Sequence, residues 1–431
     1  MIIFQISLKN QYKMKQKTFL QTFLSRFLIL VFNFGLVIYS TNVWGSEGKG
    51  SISIVIADLA LISFFSNLFV GGSITFFAPK FKSEQILLYA YIWSFIVGLS
   101  VPFIFNLFHP SQFIVYLIGL SISLSLLTAN INLFVGKQKL NLFNIYTLLQ
   151  QILHVVFIIV LVNLLKVHSF KIYFIAQITC CIVLFMASFF QLSSEFNFSQ
   201  FVFSKKTGYE MFKYGWKTQF SAFVQFLNYR LSYYFLEFYK GISSVGIFSV
   251  GVAFSESVWL VSRSLAIILY SEVVNSESPN ESLEKTKISL RISFLVSFIF
   301  IVCILIIPSS VFSMIFGESF YETKSIILLL SPGILAIASS NVVGYYFAGV
   351  NKLKILNIKS LIGLVFTVFA SIFIIPKWGI LGACLVTSIS YCLSSAVLFW
   401  GFYQYTEFRF SDLFIKKDEI NILFKKIGIG R

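Results

Sequence analysis

Leu133-Phe-Val-Gly136-Lys-Gln-Lys139-Leu140-Asn-Leu-Phe-Asn144-Ile145 and Tyr346-Phe-Ala-Gly349-Val-Asn-Lys352-Leu353-Lys-Ile-Leu-Asn357-Ile358 are two versions of one segment. Aligned on Gly136 and Gly349, six of thirteen positions match: Phe134/Phe347, the glycines, Lys139/Lys352, Leu140/Leu353, Asn144/Asn357 and Ile145/Ile358. Each copy is a short basic turn between two long apolar runs, 112–135 and 142–165 around the first, 325–348 and 355–375 around the second. About 20 apolar residues suffice to carry a helix across ~30 Å of hydrocarbon. Each copy therefore reads as a turn joining two transmembrane helices. Their equal orientation predicts parallel repeats about an axis along the membrane normal. A weaker echo, Gly45-x4-Gly50 against Gly241-x4-Gly246, falls after the first helix of each expected half.

Working outward, twelve such runs cover the chain: 18–40, 52–78, 86–108, 112–135, 142–165, 172–190, 218–239, 246–270, 288–312, 325–348, 355–375 and 380–403. The basic residues fall in every second gap. Twenty-four of the 33 lie on one side: Lys9, Lys13, Lys15 and Lys17; Lys80 and Lys82; Lys137 and Lys139; Lys205, Lys206, Lys213 and Lys217; Lys285, Lys287 and Arg291; Lys352, Lys354 and Lys359; and six in the tail. Six lie on the other: Lys49, Lys166, Lys171, Lys240, Lys324 and Lys377. Positive loops stay cytoplasmic, so both termini are expected inside and the helix count even. The longest polar break, 191–217, divides two six-helix halves. The expected organisation is a cytoplasmic N-terminus (1–17), a first half (18–190), a cytoplasmic linker (191–217), a second half (218–403) and a cytoplasmic amphipathic tail (404–431). The fold class is all-α, polytopic, with about twelve transmembrane helices.

The net charge of +16 accompanies 57% hydrophobic residues. In such a chain the positive excess reads as a topological signal with attraction to anionic headgroups, not as nucleic-acid binding. The cysteines Cys180, Cys181, Cys303, Cys384 and Cys392 all fall in expected helices without metal-ligand spacing and read as small hydrophobes. No metal or cofactor is expected. No small-residue cleavage motif follows the first apolar run, and Met14 is a plausible alternative start. The expected outer loops are short, the longest near 313–324, which weighs against a membrane enzyme with external catalytic groups. Helix-breaking residues fall within runs at Gly71-Gly72, Pro102, Pro308, Pro332-Gly333 and Pro376. Broken backbone at membrane depth is tolerated where protein or a cavity surrounds it.

Further motifs occur in order through the second half: Tyr214-Gly-Trp216, Asn228-Tyr-Arg230-Leu-Ser232, Gly241-Ile-Ser-Ser-Val-Gly246, Phe254-Ser-Glu256, Phe316-Gly317, Leu330-Ser-Pro-Gly333, Tyr346-Phe-Ala-Gly349 and Ile375-Pro376-Lys-Trp-Gly379. With this series the chain resembles the polysaccharide repeat-unit (O-antigen) flippases, often called Wzx, which belong with the multidrug and lipid II exporters of a V-shaped twelve-helix superfamily. The resemblance covers essentially the whole chain, more loosely in the first half. It implies flipping of polyprenyl-diphosphate-linked oligosaccharide repeat units to the outer face of a bacterial inner membrane by alternating access, with ion coupling and without enzymatic chemistry. It implies roles in polysaccharide, O-antigen and lipopolysaccharide biosynthesis. The implied partners are the lipid-linked oligosaccharide, the bilayer, and as candidates a glycan polymerase and a chain-length regulator. One departure stands out. Such proteins commonly carry an acid two positions after the arginine of helix 7, where this chain has Ser232.

Three arginines fall inside expected helices: Arg26, Arg230 and Arg263. A charge at mid-membrane costs roughly 2.5–3.5 kcal/mol on insertion scales, so these side chains should face the bundle interior or water. They are the candidate substrate-binding residues, since a guanidinium fork donates bidentate hydrogen bonds to a diphosphate. The alternative is permanent ion pairing, for which Glu256 lies at the depth of Arg230 on the adjoining helix. Asp58, Glu256 and Glu237 are the candidate ion-coupling or counter-ion groups. His154 could join a proton relay or be a hydrogen-bonded interior histidine. Asn33, Asn67, Gln150, Gln151, Gln177, Gln219, Gln225 and Asn228, with Tyr233, Tyr234 and Trp259, could bind sugars or serve as helix–helix contacts. Two rival functions stay open. A multidrug or other small-molecule exporter of the same fold would carry an acidic cavity. A membrane-embedded glycan polymerase or acyltransferase would carry a large outer loop or an intramembrane histidine with an acid partner.

Overall fold

The computed structural model describes residues 2–108, 112–274, 278–350, 352–406 and 408. The side chains of 2–20, 22, 23, 108, 198, 221, 260, 261, 263–265, 267, 268, 270–272, 274 and 353 lie outside the description. Within the described residues the regular structure is helical: α1 (Ile2–Val70), α2 (Gly72–Phe77), α3 (Ser83–Phe108), α4 (Ile114–Gly136), α5 (Leu140–Ile159), α6 (Ile172–Ser193), α7 (Lys205–Lys240), α8 (Ile242–Val274), α9 (Pro279–Ile306), α10 (Ser309–Phe316), α11 (Thr323–Gly349) and α12 (Leu353–Thr406). A single π-helical turn (Val160–Leu164) extends α5.

Nine helical segments among the described residues are long and apolar enough to cross a membrane. Two of them, Leu24–Phe77 (54 residues) and Lys354–Thr406 (53 residues), are too long for one crossing. Each is a helical hairpin. The first turns at Gly45 (φ 65°), a left-handed backbone that glycine adopts without steric cost. Its two arms are antiparallel, since Asn33 on one shares a cavity with Ile56, Leu59 and Ala60 on the other. The second turns at Gly379 (φ 56°). Across it the Ser390 hydroxyl lies 3.0 Å from the Gly363 carbonyl and 2.8 Å from the Thr367 hydroxyl. With these hairpins counted as two crossings each, and the 36-residue α7 added, the described residues supply twelve spans of a multi-pass membrane protein. Helix α7 has 36 residues, but its tyrosines, lysines and amides keep its hydropathy low.

The duplicated segment folds the same way twice. Helices α4 and α11 end on Gly136 and Gly349, and α5 and α12 begin on Leu140 and Leu353. The Lys139 amide donates to the Phe134 carbonyl at 2.8 Å, and the Lys352 amide donates to Phe347 at 2.8 Å. The second echo also has structural meaning: Gly241 (φ 83°) turns the chain between α7 and α8 as Gly45 does within α1.

The chain divides into two compact units, Met1–Phe223 and Val224–Arg431. In the first, Leu127, Leu133, Phe134, Ile74 and Met211 form one core, and Ile52, Ile62, Leu117 and Phe174 another. Small polar side chains join its helices: the Ser94 and Ser125 hydroxyls lie 2.7 Å apart, and Asn130 donates to Ser188 at 2.8 Å. Satisfying polar groups within the bundle is what the absence of water in hydrocarbon demands. In the second unit Ala266, Leu290, Val343, Phe347 and Phe402 form the core. Large apolar side chains such as Leu99, Phe103, Phe190, Phe369 and Phe373 face outward, as lipid-facing positions do.

Several boundaries differ from those read in the sequence. Helix α7 begins at Lys205, not 218, so much of the polar break is helix. Its first turns are amphipathic: Thr207, Gly208, Met211 and Gly215 are buried while Lys205, Lys206, Lys213 and Lys217 are exposed, a helical period that a hydropathy window averages away. Helix α9 starts early, with Pro279 in its first turn, and stops at Ile306 ahead of Pro308, which caps the separate α10. Pro332-Gly333 does not interrupt α11, whereas Gly71 separates α1 from α2. The tail beyond Phe408 and Arg409 onward lies outside the described residues.

Candidate functional site

Two polar constellations occupy the spans, one in each unit. In the second unit, Arg230 on α7 meets Glu256 on α8. Its Nη1 donates to Oε1 at 2.7 Å and its Nη2 to Oε2 at 2.9 Å, a two-pronged ion pair. This geometry uses the planar fork fully on that side of the guanidinium. The Tyr233 ring lies 5.2 Å from the guanidinium carbon, within cation–π range. About a quarter of each charged side chain stays accessible, 25% for Arg230 and 24% for Glu256. The pair is therefore partly accessible, not sealed in a core.

Around it stands an aromatic group that sequence reading did not assemble. The rings of Tyr229 and Trp259 lie 5.1 Å apart, Tyr229 and Tyr391 5.2 Å, and Trp259 and Tyr391 5.7 Å. Tyr391 sits on the second arm of α12, more than a hundred positions from the others, so no local pattern could reveal it. Ser232, at the position where the resembling family has an acid, shares a hydrogen bond with the Thr387 hydroxyl at 3.1 Å. Asn228 is committed to structure: its Oδ1 accepts from Thr367 (2.7 Å) and from Ser390 (2.8 Å), tying α7 to both arms of α12.

The first unit holds a cavity of about 400 Å³ between the two arms of α1 and helices α4, α5 and α6. Its lining includes Asn33, Asn67, Gln150, Gln151, Gln177 and His154, and no charged residue. These positions come from three helices and five separate turns of sequence. The amides were legible one by one; their convergence required the packing. The His154 ring nitrogen Nε2 lies 3.1 Å from the Tyr173 carbonyl, to which it donates.

The other candidates are dispersed. Arg26 is exposed on the first arm of α1, with its guanidinium 5.1 Å from the centre of the Phe143 ring. Asp58 is half-buried on the second arm. Glu237 is half-buried on α7, two turns beyond Arg230. The backbone of Arg263 lies in α8, while its side chain is outside the described residues. Of the six charged candidates, Arg230 and Glu256 are brought into direct contact. Lys359, counted with the inner loops in the sequence, is buried in α12 at 4% exposure. No group of three or more His, Cys, Asp or Glu able to hold a metal occurs among the described residues.

Where the expected linker leaves α6, it is pinned by charge. Glu195 accepts from Lys139 and, at 3.1 Å, from Lys137, both of the first repeated turn. The hydrogen bond from Lys139, aided by Lys137, holds the Glu195 carboxyl below its ordinary range. The buried Glu84 accepts from the Asn197 amide at 2.9 Å.

No family model matches the chain. Among curated proteins, it is 26% identical over 188 residues to a capsular polysaccharide biosynthesis protein, CapF, of Staphylococcus aureus, covering 43% of this chain and 47% of that one. The match thus spans about half the length of that relative. Among solved structures, an inward-facing multidrug resistance MATE transporter of the MOP superfamily superposes with a TM-score of 0.69 at 13% identity, over 88% of this chain and 95% of the other. The inward closed lipid II flippase MurJ superposes with a TM-score of 0.67 at 15% identity, over 92% and 88%. At these identities the likeness is one of fold: the chain has the fold of the lipid II flippase and MATE transporter structures.

Proposed function

We propose that this protein flips polyprenyl-diphosphate-linked oligosaccharide repeat units from the cytoplasmic to the outer face of a bacterial inner membrane by alternating access. The observation that carries the reading is the accessible Arg230–Glu256 pair within the spans. A guanidinium retained at membrane depth is costly and asks for a function. Arginine matches the oxygens of a diphosphate bidentately, as it now matches the carboxylate. The transporter fold and the partial likeness to a capsular polysaccharide protein agree with this reading.

The geometry also supplies a means of ion coupling. Glu256 and a diphosphate compete for one face of one guanidinium. Arrival of the anion displaces the carboxylate from Arg230, and its departure lets the pair re-form, which makes Glu256 the proposed coupling group. Arg26 and Arg263 remain secondary substrate contacts in this proposal, and Asp58 and Glu237 secondary counter-ions. In the small-molecule exporter alternative, a cationic drug needs an unclaimed acid, whereas Glu256 is already claimed by Arg230.

The test uses the purified protein in proteoliposomes with a fluorescent polyprenyl-diphosphate oligosaccharide. Arg230→Ala should abolish flipping without loss of inserted protein, and Arg230→Lys should restore part of it. If the pair is only structural, Glu256→Gln should be as harmful as Arg230→Ala, and the double variant should recover, because removing both charges leaves no unpaired one. Recovery in the double variant would overturn the role proposed for Arg230.

A further inference from the structure

We infer that the cavity of the first unit is a binding subsite for the uncharged sugars of the glycan, and that it discriminates against acidic ones. This rests on the flippase reading for its biological setting, but the binding property stands on the cavity itself. At about 400 Å³ it falls in the range of ligand-holding pockets, roughly 300–1,000 Å³.

Four of its amide side chains are unspent. Among the described residues the side chains of Asn33, Asn67, Gln151 and Gln177 make no hydrogen bond, and the Gln177 carbonyl oxygen is fully buried without a partner. A buried carbonyl without a partner costs about 1–3 kcal/mol unless a ligand or water meets it. Gln177 carries that demand, and the half-buried Asn67 and Gln151 and the exposed Asn33 open into the same cavity beside it. Each amide offers both donor and acceptor, the combination that sugar hydroxyls and acetamido groups answer. A purely apolar occupant would leave the Gln177 carbonyl unsatisfied. Phe64 and Tyr173 add two aromatic rings to the wall, suited to the C–H faces of a pyranose. His154, with Nε2 donating to the Tyr173 carbonyl, is left with Nδ1 as an acceptor.

The lining also says what is refused. It contains no Lys, Arg, Asp or Glu. A uronic-acid carboxylate would be desolvated there with no cation to compensate it, and an organic cation with no acid. The physical prediction is selection by charge: neutral sugars, N-acetylated ones included, over uronates.

The full-length protein in nanodiscs should bind N,N′-diacetylchitobiose, measured by saturation-transfer NMR and competition titration, at least about tenfold more tightly than a disaccharide carrying glucuronic acid. The double variant Gln151→Leu/Gln177→Leu should lose about tenfold or more in affinity for the neutral sugar. Gln177→Arg, verified as folded by its thermal transition, should shift preference toward the uronate. Equal binding of both sugars, or neutral binding that ignores both sets of variants, would overturn the subsite. Flipping of a polyprenyl-diphosphate-linked chitobiose is read in parallel. Lost sugar selectivity with intact flipping removes the subsite and leaves the flippase reading. Selective sugar binding without flipping removes the flippase reading and leaves the subsite.

Discussion

At Gly215 the first turns of α7 press on the second arm of α1. A Cβ built there would lie 1.9 Å from the Leu68 carbonyl oxygen. The obstacle is backbone, so no side chain can step aside. Gly215→Ala should therefore force the helices apart at a cost of about 1–3 kcal/mol, read as a lower thermal midpoint of the purified protein. An unchanged midpoint would mean that this contact is loose. At the same scale, Arg230 was legible as an expensive residue, and Glu256 as its neighbour in depth. Whether they meet was not legible, because a helix fixes depth along its axis while packing fixes which faces oppose. The amides show the same limit. Asn228 and Gln177 look alike in the sequence, yet one is spent on Thr367 and Ser390 and the other opens into a cavity.

Elements carry their own evidence. The repeated turns were readable because their glycines and basic residues recur in register, and both copies close with the same amide-to-carbonyl bond. The start of α7 was not, because its lysines mask a buried stripe from any averaged hydropathy. The linker after α6 depends on Glu195, whose carboxyl is held below its ordinary range by Lys139 and then Lys137. A depressed carboxylate stabilises above its unfolded value, and the effect is lost as pH falls through the lower folded value. Protection of the amides of residues 193–204 from hydrogen exchange, corrected for the intrinsic pH dependence of exchange, should thus hold near neutral pH and fall only below the usual carboxylate range of about 4.3. Glu195→Gln should show weak protection throughout; wild-type protection that does not change with pH would show that Glu195 holds nothing there. The segment 404–431 is expected to lie on the membrane surface, with Phe408, Phe410, Leu413, Phe414, Ile420, Leu423 and Phe424 among basic residues; 404–406 instead continue α12 and Phe408 is buried against Phe399 and Phe402, while 409–431 lie outside the described residues. Deleting 412–431 should leave transport largely intact in normally inserted protein, and complete loss would assign the tail a direct role.

For the whole molecule, the twelve spans could be counted from apolar length and charge alternation, although two pairs fuse into hairpins that a helix count alone would merge. The same alternation gives a topological prediction. A reporter active only outside the cytoplasm should be silent when fused after Lys206 and active after Lys240; the reverse would invert the proposed orientation.

The closed Arg230–Glu256 pair has an electrical consequence. Moving one elementary charge through the full membrane potential exchanges about 2.3 kcal/mol per 100 mV. A guanidinium clasped by a carboxylate at 2.7 and 2.9 Å carries one positive and one negative charge together, so it contributes no net charge to the empty carrier. In the proposed flipping of a diphosphate-linked glycan, the unloaded return step should then be nearly indifferent to voltage at this site, and the potential should act on the loaded step, where the diphosphate brings its own charge. A potassium diffusion potential set with valinomycin should change the loaded rate and leave the return rate nearly flat. Glu256→Gln would strip the pair to a lone cation and make the return voltage-sensitive.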